Sequence, residues 1–353
     1  MTALSGFTIC IPNYNYERYL GTTLDSILAQ TYPDYEIVIA DNQSTDRSVA
    51  IVQDFQQQHT NIRLKENPVN LGFAGNLDAV ASMAERPYLI MLSSDDVMQP
   101  TALATYADLL AQLPAGEAFL ITSAIDVIDS DGKWLRTQSR KDSYRNMWRE
   151  TDRAAALSEQ VGSDVYRVAG KEMLRRVMTE STNPFNFLAT CFRRKDWVQV
   201  GGYGQGRMMN PDKWFHWRML GQVDAVYYID QPLFQYRWHA SNQTAQEINS
   251  GHLKYITDEY RTSMEVDQQL LATADLQRED IQTAFIRNAI LRHGLGELSK
   301  GLWLKAFRIY CFGWATYPQW MIRRYGARTL AYAVLLLLGP VGSLLLRLVK
   351  SRS

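Results

Sequence analysis

The chain has 353 residues, which is long enough for more than one hydrophobic core and favours two structural units. Its 37 basic and 37 acidic residues balance, so no net charge draws it to polyanions, and this argues against a nucleic-acid-binding protein. Its three cysteines are scattered without the paired spacing of zinc sites or disulfide frameworks, which favours a reducing compartment. No basic, apolar leader precedes the first predicted strand, so we expect the N-terminus to remain in the cytosol.

Short apolar runs alternate with helical patterns through the first part of the chain. Strands are predicted at residues 7–11, 35–40, 62–66, 88–92 and 118–125, and helices at 19–30, 48–58, 74–84 and 101–113. This alternation is typical of βαβ units, and it predicts an α/β fold with a Rossmann-like, mixed but mostly parallel sheet and helices on both faces. Strands and helices continue over residues 170–238, and residues 250–300 predict a C-terminal helical region.

Three of the predicted strands end in polar clusters, at residues 12–15, 41–46 and 93–96. An open α/β sheet binds its ligands at the carboxyl ends of its strands, so these clusters predict a binding crevice. The polar region from 126 to 168 contains a turn signal, Asp129-Ser-Asp-Gly132. We expect this region to leave the sheet, either facing an acceptor or without a role.

Four segments of the predicted crevice, in this order and spacing, resemble the family 2 glycosyltransferases with the GT-A fold. They are Ile11-Pro12-Asn13-Tyr14-Asn15 followed by Glu17, Asp41-Asn42-Gln43-Ser44-Thr45-Asp46, Asn70-Leu71-Gly72-Phe73-Ala74-Gly75-Asn76, and Leu92-Ser93-Ser94-Asp95-Asp96. The resemblance resumes at Phe192-Arg193-Arg194 and Gly201-Gly202-Tyr203 and extends to about residue 245. It implies a nucleotide-sugar-binding domain over residues 1–245, which leaves a helical extension over 246–325 and an apolar, membrane-associated segment over 326–353.

The resemblance implies that the crevice binds the donor, a nucleoside-diphosphate sugar. The donor-binding residues that it implies are Pro12, Tyr14, Asn15, Glu17, Asp41, Asn70, Gly72, Asn76, Ser93, Ser94 and Asp95. Asp41 would accept a hydrogen bond from the nucleotide base beside Pro12 and Tyr14, while Asp46 caps the next helix and leaves Asp41 free. A purely structural role stays open for Asn70, Gly72 and Asn76, because these residue types also suit a loop-to-helix turn.

Breaking the bond between sugar and diphosphate concentrates negative charge on the leaving group, which a divalent cation stabilises. Oxygen ligands suit Mg²⁺ or Mn²⁺, and the resemblance implies that Asp95 reaches this cation, with Asp96 and His239 as further ligands. Ser93 stands where the family commonly has the first aspartate of its acidic motif. Two structural alternatives stay open: the two aspartates could cap the following helix, and His239 could be a structural histidine.

An inverting transfer also needs a general base, because the acceptor hydroxyl loses its proton as it attacks. The resemblance assigns this role to Asp212, at the head of a predicted helix that continues to Arg218. Pro211 replaces the usual Glu of the family, so Asp212 could instead serve the start of the helix. The region is rich in aromatic side chains that would either stack on sugar rings or form core: Trp197, Tyr203, Trp214, Phe215 and Trp217.

The last segment contains an uncharged apolar run over residues 329–346, close to the lower limit for crossing a bilayer. Basic residues lie on both sides of it: Arg323, Arg324, Arg328, Arg347, Lys350 and Arg352. Gly339-Pro340 would break a helix at its centre, and positive charge on both flanks favours two cytosolic ends. We therefore expect a kinked segment that contacts the membrane surface, with a buried C-terminal helix or an oligomer contact as the alternatives.

These features together predict a metal-dependent, inverting glycosyltransferase of the hexosyl-transferring type that uses a hydroxyl acceptor. The resemblance and the apolar segment favour a lipid-linked glycan acceptor, in cell-surface polysaccharide or glycolipid assembly at the inner face of the cell membrane. Ser93 and Pro211 leave one alternative, a non-catalytic, membrane-tethered binding protein. A sugar nucleotidyltransferase is another, although the first strand lacks the glycine-rich, basic phosphate loop expected of that class.

Overall fold

The computed structural model describes residues 6–142, 147–204, 211–240, 242 and 252–350. The chain divides into two compact units, one formed by Met1–Leu174 with Asn183–His239 and the other by Arg175–Thr182 with Ala240–Ser353. The predicted boundary between residues 245 and 246 lies outside the described residues. The division into 1–245, 246–325 and 326–353 therefore stays a prediction.

The first unit alternates strands and helices, as predicted. Its strands are β1 (Phe7–Asn13), β2 (Tyr35–Asp41), β3 (Ile62–Glu66), β4 (Tyr88–Met91), β5 (Val97–Met98), β6 (Phe119–Ile128), β7 (Trp134–Gln138), β8 (Val165–Ala169), β9 (Cys191–Arg193) and β10 (Ala225–Arg237). Its helices are α1 (Glu17–Leu28), α2 (Ser48–Gln56), α3 (Gly72–Ser82), α4 (Ala102–Gln112), α5 (Ala155–Val161), α6 (Gly170–Glu180, shared with the second unit), α7 (Arg194–Gln199) and α8 (Pro211–Leu220). Every strand and helix predicted up to residue 125 is present.

The strands form one mixed sheet in the order β3-β2-β1-β4-β9-β6-β10-β5, with β7 paired to β6 and β8 paired to β10. Most neighbours along this order are parallel: β3 with β2, β2 with β1, β1 with β4, and β6 with β10. Strand β9 is antiparallel to both β4 and β6. The predicted mixed, mostly parallel sheet is confirmed.

The first two strands owe their position to near-continuous apolar runs, Phe-Thr-Ile-Cys-Ile in β1 and Ile-Val-Ile-Ala in β2. Such runs are typical of parallel strands that are covered on both faces. Ile11 and Ile39 are fully buried and belong to one core cluster with Leu24 of α1. The register pairs Asn13 with Asp41, so the two apolar strands place polar residues side by side at their carboxyl ends.

Parts of the polar region after residue 125 join the sheet, so the predicted excursion is wrong for the end of β6, for β7 and for β8. Strands β6 and β7 form an antiparallel hairpin, and β8 pairs with β10. The turn signal was correct, since the Gly132 amide donates to the Asp129 carbonyl at 3.1 Å and Gly132 has a φ of +85°. Strand β7 pairs with β6 alone and exposes Trp134 and Leu135, so it lacks the buried apolar face by which strands are usually recognised.

The second unit is helical over residues 252–350, which confirms the predicted C-terminal helical region. Its helices are α9 (His252–Glu265), α10 (Gln268–Thr273), α11 (Arg278–Phe285), α12 (His293–Ser299), α13 (Trp303–Thr316), α14 (Pro318–Arg323), α15 (Gly326–Leu337) and α16 (Pro340–Lys350), with a π-helical segment (Ile286–Arg292) between α11 and α12. Its core is a separate cluster that includes Ile256, Phe285, Ile290, Leu298, Ile309, Met321 and Tyr332.

The apolar run near the C-terminus forms two short helices. Helix α15 ends at Leu337 and α16 begins at Pro340, with a φ of +55° at Gly339 between them, so the predicted break is confirmed. Leu337 is 88% exposed whereas Tyr332 and Leu336 are buried, so the alternative of a buried helix holds for one side of α15 only. Among the described residues, none of the helices has both the length and the apolar character needed to cross a membrane. Arg352 lies outside the described residues.

Candidate active site

The carboxyl ends of β1 and β2 form the floor of the predicted crevice. Asn13 donates from Nδ2 to Oδ1 of Asp41 at 2.8 Å, and Ser44 donates from its backbone N and its Oγ to the same carboxylate at 2.8 and 2.6 Å. Asp41 is therefore engaged in the turn after β2 and is not the free carboxylate that we expected. A carboxylate has about four acceptor positions, so these bonds leave one for a ligand. Asp46 serves α2 as predicted, because it accepts from the Ser48 amide at 3.0 Å.

Asn15 and Glu17 hold the loop that follows β2. Oδ1 of Asn15 accepts from the Thr45 amide at 2.7 Å, and Oε2 of Glu17 accepts from the Arg47 amide at 2.8 Å. Asn15 has a φ of +58°, a left-handed conformation that asparagine tolerates better than most residues. Both side chains therefore have a structural role beside the crevice, whereas Tyr14 is exposed.

Asparagines also organise the start of α3. Asn70 accepts from the Gly72 amide at 2.9 Å, and Gly72 has a φ of +71°. Asn76 is buried, accepts from Nδ2 of Asn67 at 2.8 Å and donates to the Ala40 carbonyl at 3.1 Å. These bonds favour the structural alternative for Asn70 and Asn76, and their contact with a donor stays a prediction.

The turn after β4 carries the acidic motif, of which Ser94, Asp95 and Asp96 are buried and Ser93 is partly buried. Nε2 of His239 lies 2.9 Å from Oδ2 of Asp95. Arg237 donates from its backbone N to Oδ1 of Asp96 at 2.9 Å and from its Nε to the Asp95 carbonyl at 2.8 Å. The end of β10 thus brings a cation and a histidine onto the acidic turn, next to both aspartates.

Tyr19 of α1 packs against both Arg237 and His239. Its ring centroid lies 4.7 Å from that of His239 and 5.0 Å from the guanidinium carbon of Arg237. Tyr19 is itself buried, so it fixes the positions of the two side chains. Ser94 ties the turn to β1, since its Oγ donates to the Pro12 carbonyl at 3.2 Å.

Asp96 has the most perturbed electrostatics of this turn. Burial, followed by the negative charge of Asp95, raises the pKa of Asp96 well above its usual value, although Arg237 lowers it. Oδ2 of Asp96 is buried and has no hydrogen-bond partner among the described residues. A cation would both satisfy this oxygen and relieve the repulsion between the carboxylates. Helix α4 begins only at Ala102, which disfavours the capping alternative.

The residues of this turn fit a divalent cation that is shared with a diphosphate. No group of three or more His, Cys, Asp or Glu side chains in the described ranges has the geometry to hold a metal ion by itself. Mg²⁺, however, is usually held by one or two carboxylates together with substrate phosphates and water. Asp95 and Asp96 supply that number of carboxylates, and His239 lies within hydrogen-bond distance of the first.

Asp212 lies in the first turn of α8 and belongs to a short hydrogen-bond chain. Nδ2 of Asn183 donates to Oδ2 of Asp212 at 2.9 Å, and Oδ1 of Asn183 lies 3.1 Å from Nδ1 of His216. Burial raises the pKa of Asp212 and lowers the pKa of His216 to about 3, so this histidine is neutral near pH 7. Because the amide oxygen can only accept, we assign the histidine proton to Nδ1.

Of the five aromatic residues predicted either to stack on sugar rings or to form core, three lie in the core. Tyr203, Phe215 and Trp217 are buried, and the rings of Tyr203 and Phe215 stack at 4.2 Å. The idea that these three stack on sugar rings is therefore wrong. Arg218 is also structural, since its Nη2 donates to the Gly202 carbonyl at 2.6 Å.

Residues 8–178 match the protein-family model described as glycosyl transferase family 2. This match shows that residues 8–178 form a glycosyltransferase family 2 region. The chain is 32% identical over 131 residues to an uncharacterized glycosyltransferase of Nostoc, a match that covers 36% of this chain and 39% of that protein. It is 37% identical over 100 residues to the poly(ribitol-phosphate) beta-glucosyltransferase of Bacillus spizizenii, covering 27% of this chain and 16% of that enzyme. The chain thus matches less than half the length of these relatives.

Solved structures show that this chain has the GT-A fold that was predicted. Residues 1–349 of Staphylococcus aureus TarS, in complex with UDP-GlcNAc, superpose with a TM-score of 0.61 at 14% identity, covering 96% of this chain and 88% of that one. The mannosyltransferase PcManGT from Pyrobaculum calidifontis, in complex with GDP-Man and Mn²⁺, gives a TM-score of 0.50 at 16% identity, again covering 96% and 88%. At these identities the superpositions establish the fold alone.

Three residues of this candidate site were not predicted from the sequence. Arg237 meets the acidic turn, Tyr19 packs against Arg237, and Asn183 meets Asp212, all through contacts between distant parts of the chain. Arg237 stands two residues before His239, which was the one signal that could have identified it. Asn183 stands in no motif.

Proposed function

We propose that this chain is an inverting glycosyltransferase that moves a sugar from a nucleoside-diphosphate donor to a hydroxyl acceptor. The observation that carries the proposal is the state of Asp212. Its pKa is raised by burial, and Asn183 orients it at the head of α8, where the family resemblance expects the general base. A base with a raised pKa binds a proton more strongly, which favours its taking the proton of an acceptor hydroxyl.

The donor is proposed to lie along the carboxyl ends of β1, β2 and β4. Tyr14 is exposed beside Pro12, and Asp41 retains one acceptor position, which supports recognition of a nucleotide base there. The remaining proposed contacts are Asn15, Glu17, Asn70, Gly72, Asn76, Ser93, Ser94 and Asp95. One solved neighbour contains UDP-GlcNAc and another GDP-Man, so the base of this donor is left open between uracil and guanine.

Mg²⁺ or Mn²⁺ is proposed as the cofactor, held by Asp95, Asp96 and His239. When bound, the ion would neutralise charge on the departing diphosphate. The protein's own contribution is to place His239 beside Asp95 and to hold Asp96 through the backbone amide of Arg237.

The acceptor is proposed to be a lipid-linked glycan of cell-surface polysaccharide or glycolipid assembly, at the cytoplasmic face of the membrane, with transfer of a hexosyl group. Relatives named as a poly(ribitol-phosphate) beta-glucosyltransferase and a hyaluronan synthase support a polymer product. Neither alternative, a non-catalytic binding protein or a nucleotidyltransferase, is favoured by a structural observation.

A nucleotide-sugar screen tests this function. We expect one of UDP-GlcNAc, UDP-Glc and GDP-Man to raise the melting temperature in the presence of MnCl₂, and the same compound to be turned over with release of nucleoside diphosphate. Mn²⁺ alone and the free sugars are the controls. Stabilisation without turnover, with or without added acceptors, would support the binding-protein alternative.

Replacing Asn183 with Ala is expected to move the acidic limb of the pH–kcat profile upward. The Asn183 amide stabilises the ionised form of Asp212, so its loss raises the pKa of that carboxyl. A hydrogen bond to a charged group is worth about 1.5–3 kcal/mol, which corresponds to a shift of about one pH unit or more. The profile of kcat against pH measures it.

Asn186→Ala is the matched control, because Asn186 donates to the Ser123 carbonyl and not to Asp212. Lys213 and Tyr203, the other titratable groups that interact with Asp212, stay unchanged in both variants. An equal shift in both variants, or none in Asn183→Ala, would contradict the link between Asn183 and the base.

A further inference from the structure

Helices α15 and α16 present an exposed apolar face. In α15 the exposed apolar residues are Leu330, Val334 and Leu337, and in α16 they are Val341, Leu344, Leu345 and Leu348. Spacings of three and four residues place each set along one side of its helix. The opposite side of α15 is in the core of the second unit, where Tyr332 and Leu336 are buried. The exposed apolar residues therefore belong to a folded helix that is packed on the core, and not to an unfolded end of the chain.

Close packing fixes the two helices against each other. A Cβ on Gly342 would lie 2.1 Å from the Leu335 carbonyl oxygen, so α16 approaches the backbone of α15 more closely than any side chain would permit. Trp303 of α13 donates from Nε1 to the Leu336 carbonyl at 2.7 Å, and the Tyr332 hydroxyl donates to the Ala306 carbonyl at 2.7 Å. The apolar face is thus formed before anything binds to it.

The apolar face continues onto α13. Trp303, Leu304 and Phe307 are exposed there, and the rings of Trp303 and Phe307 stack at 5.5 Å. Tryptophan is enriched at membrane–water interfaces, where one side of its ring is apolar and the other wet.

The surrounding charge is of one sign. Residues 298–353 contain nine lysines and arginines and no aspartate or glutamate, although the whole chain has no net charge. Arg308, Arg323, Arg324, Arg328 and Arg347 are exposed in this stretch. A second copy of the chain would meet this face with the same positive charge, which opposes self-association, whereas an anionic surface complements it.

We propose that α15, α16 and the start of α13 form a docking surface for an anionic lipid bilayer, on which α15 and α16 lie in the plane of the interface. This inference rests on the proposed function only for its cytoplasmic, lipid-linked setting. Helices of 12 and 11 residues reach about 16–18 Å each, roughly half of a hydrocarbon core. An apolar face with basic neighbours is the pattern of helices that lie on a membrane and do not cross it.

Vesicle binding of the full chain tests the surface. We expect sedimentation with vesicles of phosphatidylcholine containing phosphatidylglycerol, and at least tenfold weaker binding to phosphatidylcholine alone. The double variant Leu337→Glu, Leu344→Glu should lose at least tenfold in affinity, and Arg323→Gln with Arg324→Gln and Arg328→Gln should reduce the preference for phosphatidylglycerol. Val198→Glu is the matched control, because Val198 is an apolar residue of the first unit that is as exposed as Leu344. Truncation is avoided, because Tyr332 and Leu336 belong to the core.

Absence of vesicle binding by the unaltered chain would overturn the proposal, as would an equal loss in Val198→Glu. A dimer in light scattering that the double variant dissociates would also overturn it, since a second copy would then cover this face. Donor hydrolysis is measured in parallel and should be unchanged in the double variant. If the unaltered chain binds vesicles but does not hydrolyse the donor, only the proposed sugar transfer is refuted.

Discussion

Replacing Asp212 with Asn is expected to lower the rate of sugar transfer by about 10²-fold or more, the usual scale for losing a general base. The new amide has nearly the same shape and can still accept from Asn183, but it cannot take the proton of an acceptor hydroxyl. Donor affinity should be unchanged, so the effect should appear in kcat and not in the KM for the donor. Steady-state kinetics with the donor found in the nucleotide-sugar screen measures it.

Helix α8 provides the competing explanation, because a carboxylate in its first turn also complements the helix dipole by about 0.3–1 kcal/mol. Asp280→Asn is the matched control, since Asp280 lies in the first turn of α11 and caps it. Both variants should show a similarly small change in melting temperature, and only Asp212→Asn should lose activity. Near-normal transfer in Asp212→Asn would assign this residue to the helix start and leave the base unidentified.

The alternation of strands and helices was predictable because parallel strands covered on both faces need unbroken apolar runs. β1 and β2 have such runs, and both were predicted nearly to the residue. β7 was not predicted, because a strand at an edge with exposed side chains needs no apolar face. Strands are recognised in a sequence by the apolar residues that they bury. A strand that buries few residues is therefore not predicted.

The residues of the candidate site that directly follow a predicted strand were predicted from the sequence. The residues that reach the site from distant parts of the chain were not predicted. The acidic turn is visible in the sequence, since Asp95 and Asp96 follow an apolar strand. Arg237 reaches them from a strand more than 140 positions later, and Asn183 reaches Asp212 across 29 positions. Local patterns carry no information on which distant segments meet, and the sheet order supplies it for Arg237 on β10 but not for Asn183, which lies on no strand.

Asp41 was predicted to be a free carboxylate, but in the structure it is hydrogen-bonded within its own turn. The sequence predicts one role for each aspartate: Asp41 binds a ligand and Asp46 caps a helix. The structure satisfies both from within the same loop, because Ser44 folds back onto Asp41 while Ser48 meets Asp46. A polar residue after a buried strand is thus needed by the turn itself, and a ligand must share it.

Replacing Asp95 with Asn is expected to remove most of the metal-dependent part of donor binding. The carboxylate of Asp95 is buried beside Asp96 and lies 2.9 Å from Nε2 of His239, and an amide in its place has no charge to offer a cation. Even supporting residues around metal sites cost about 10- to 100-fold in affinity or activity when they are mutated, so the loss of a direct ligand should reach at least that range.

Calorimetric titration of the nucleoside diphosphate, with and without Mn²⁺, measures the effect of Asp95→Asn. We expect the affinity gained from Mn²⁺ to fall by about 10- to 100-fold or more, and the affinity without metal to change little. Asp54→Asn is the matched control, because it removes the same charge from an exposed position on α2. The melting temperature of the folded variant should stay close to that of the unaltered chain, since the loss of one of two adjacent buried carboxylates also removes their mutual repulsion. If Asp95→Asn kept its full Mn²⁺-dependent affinity, Asp95 would be a structural partner of His239 and the cation would have to be held elsewhere.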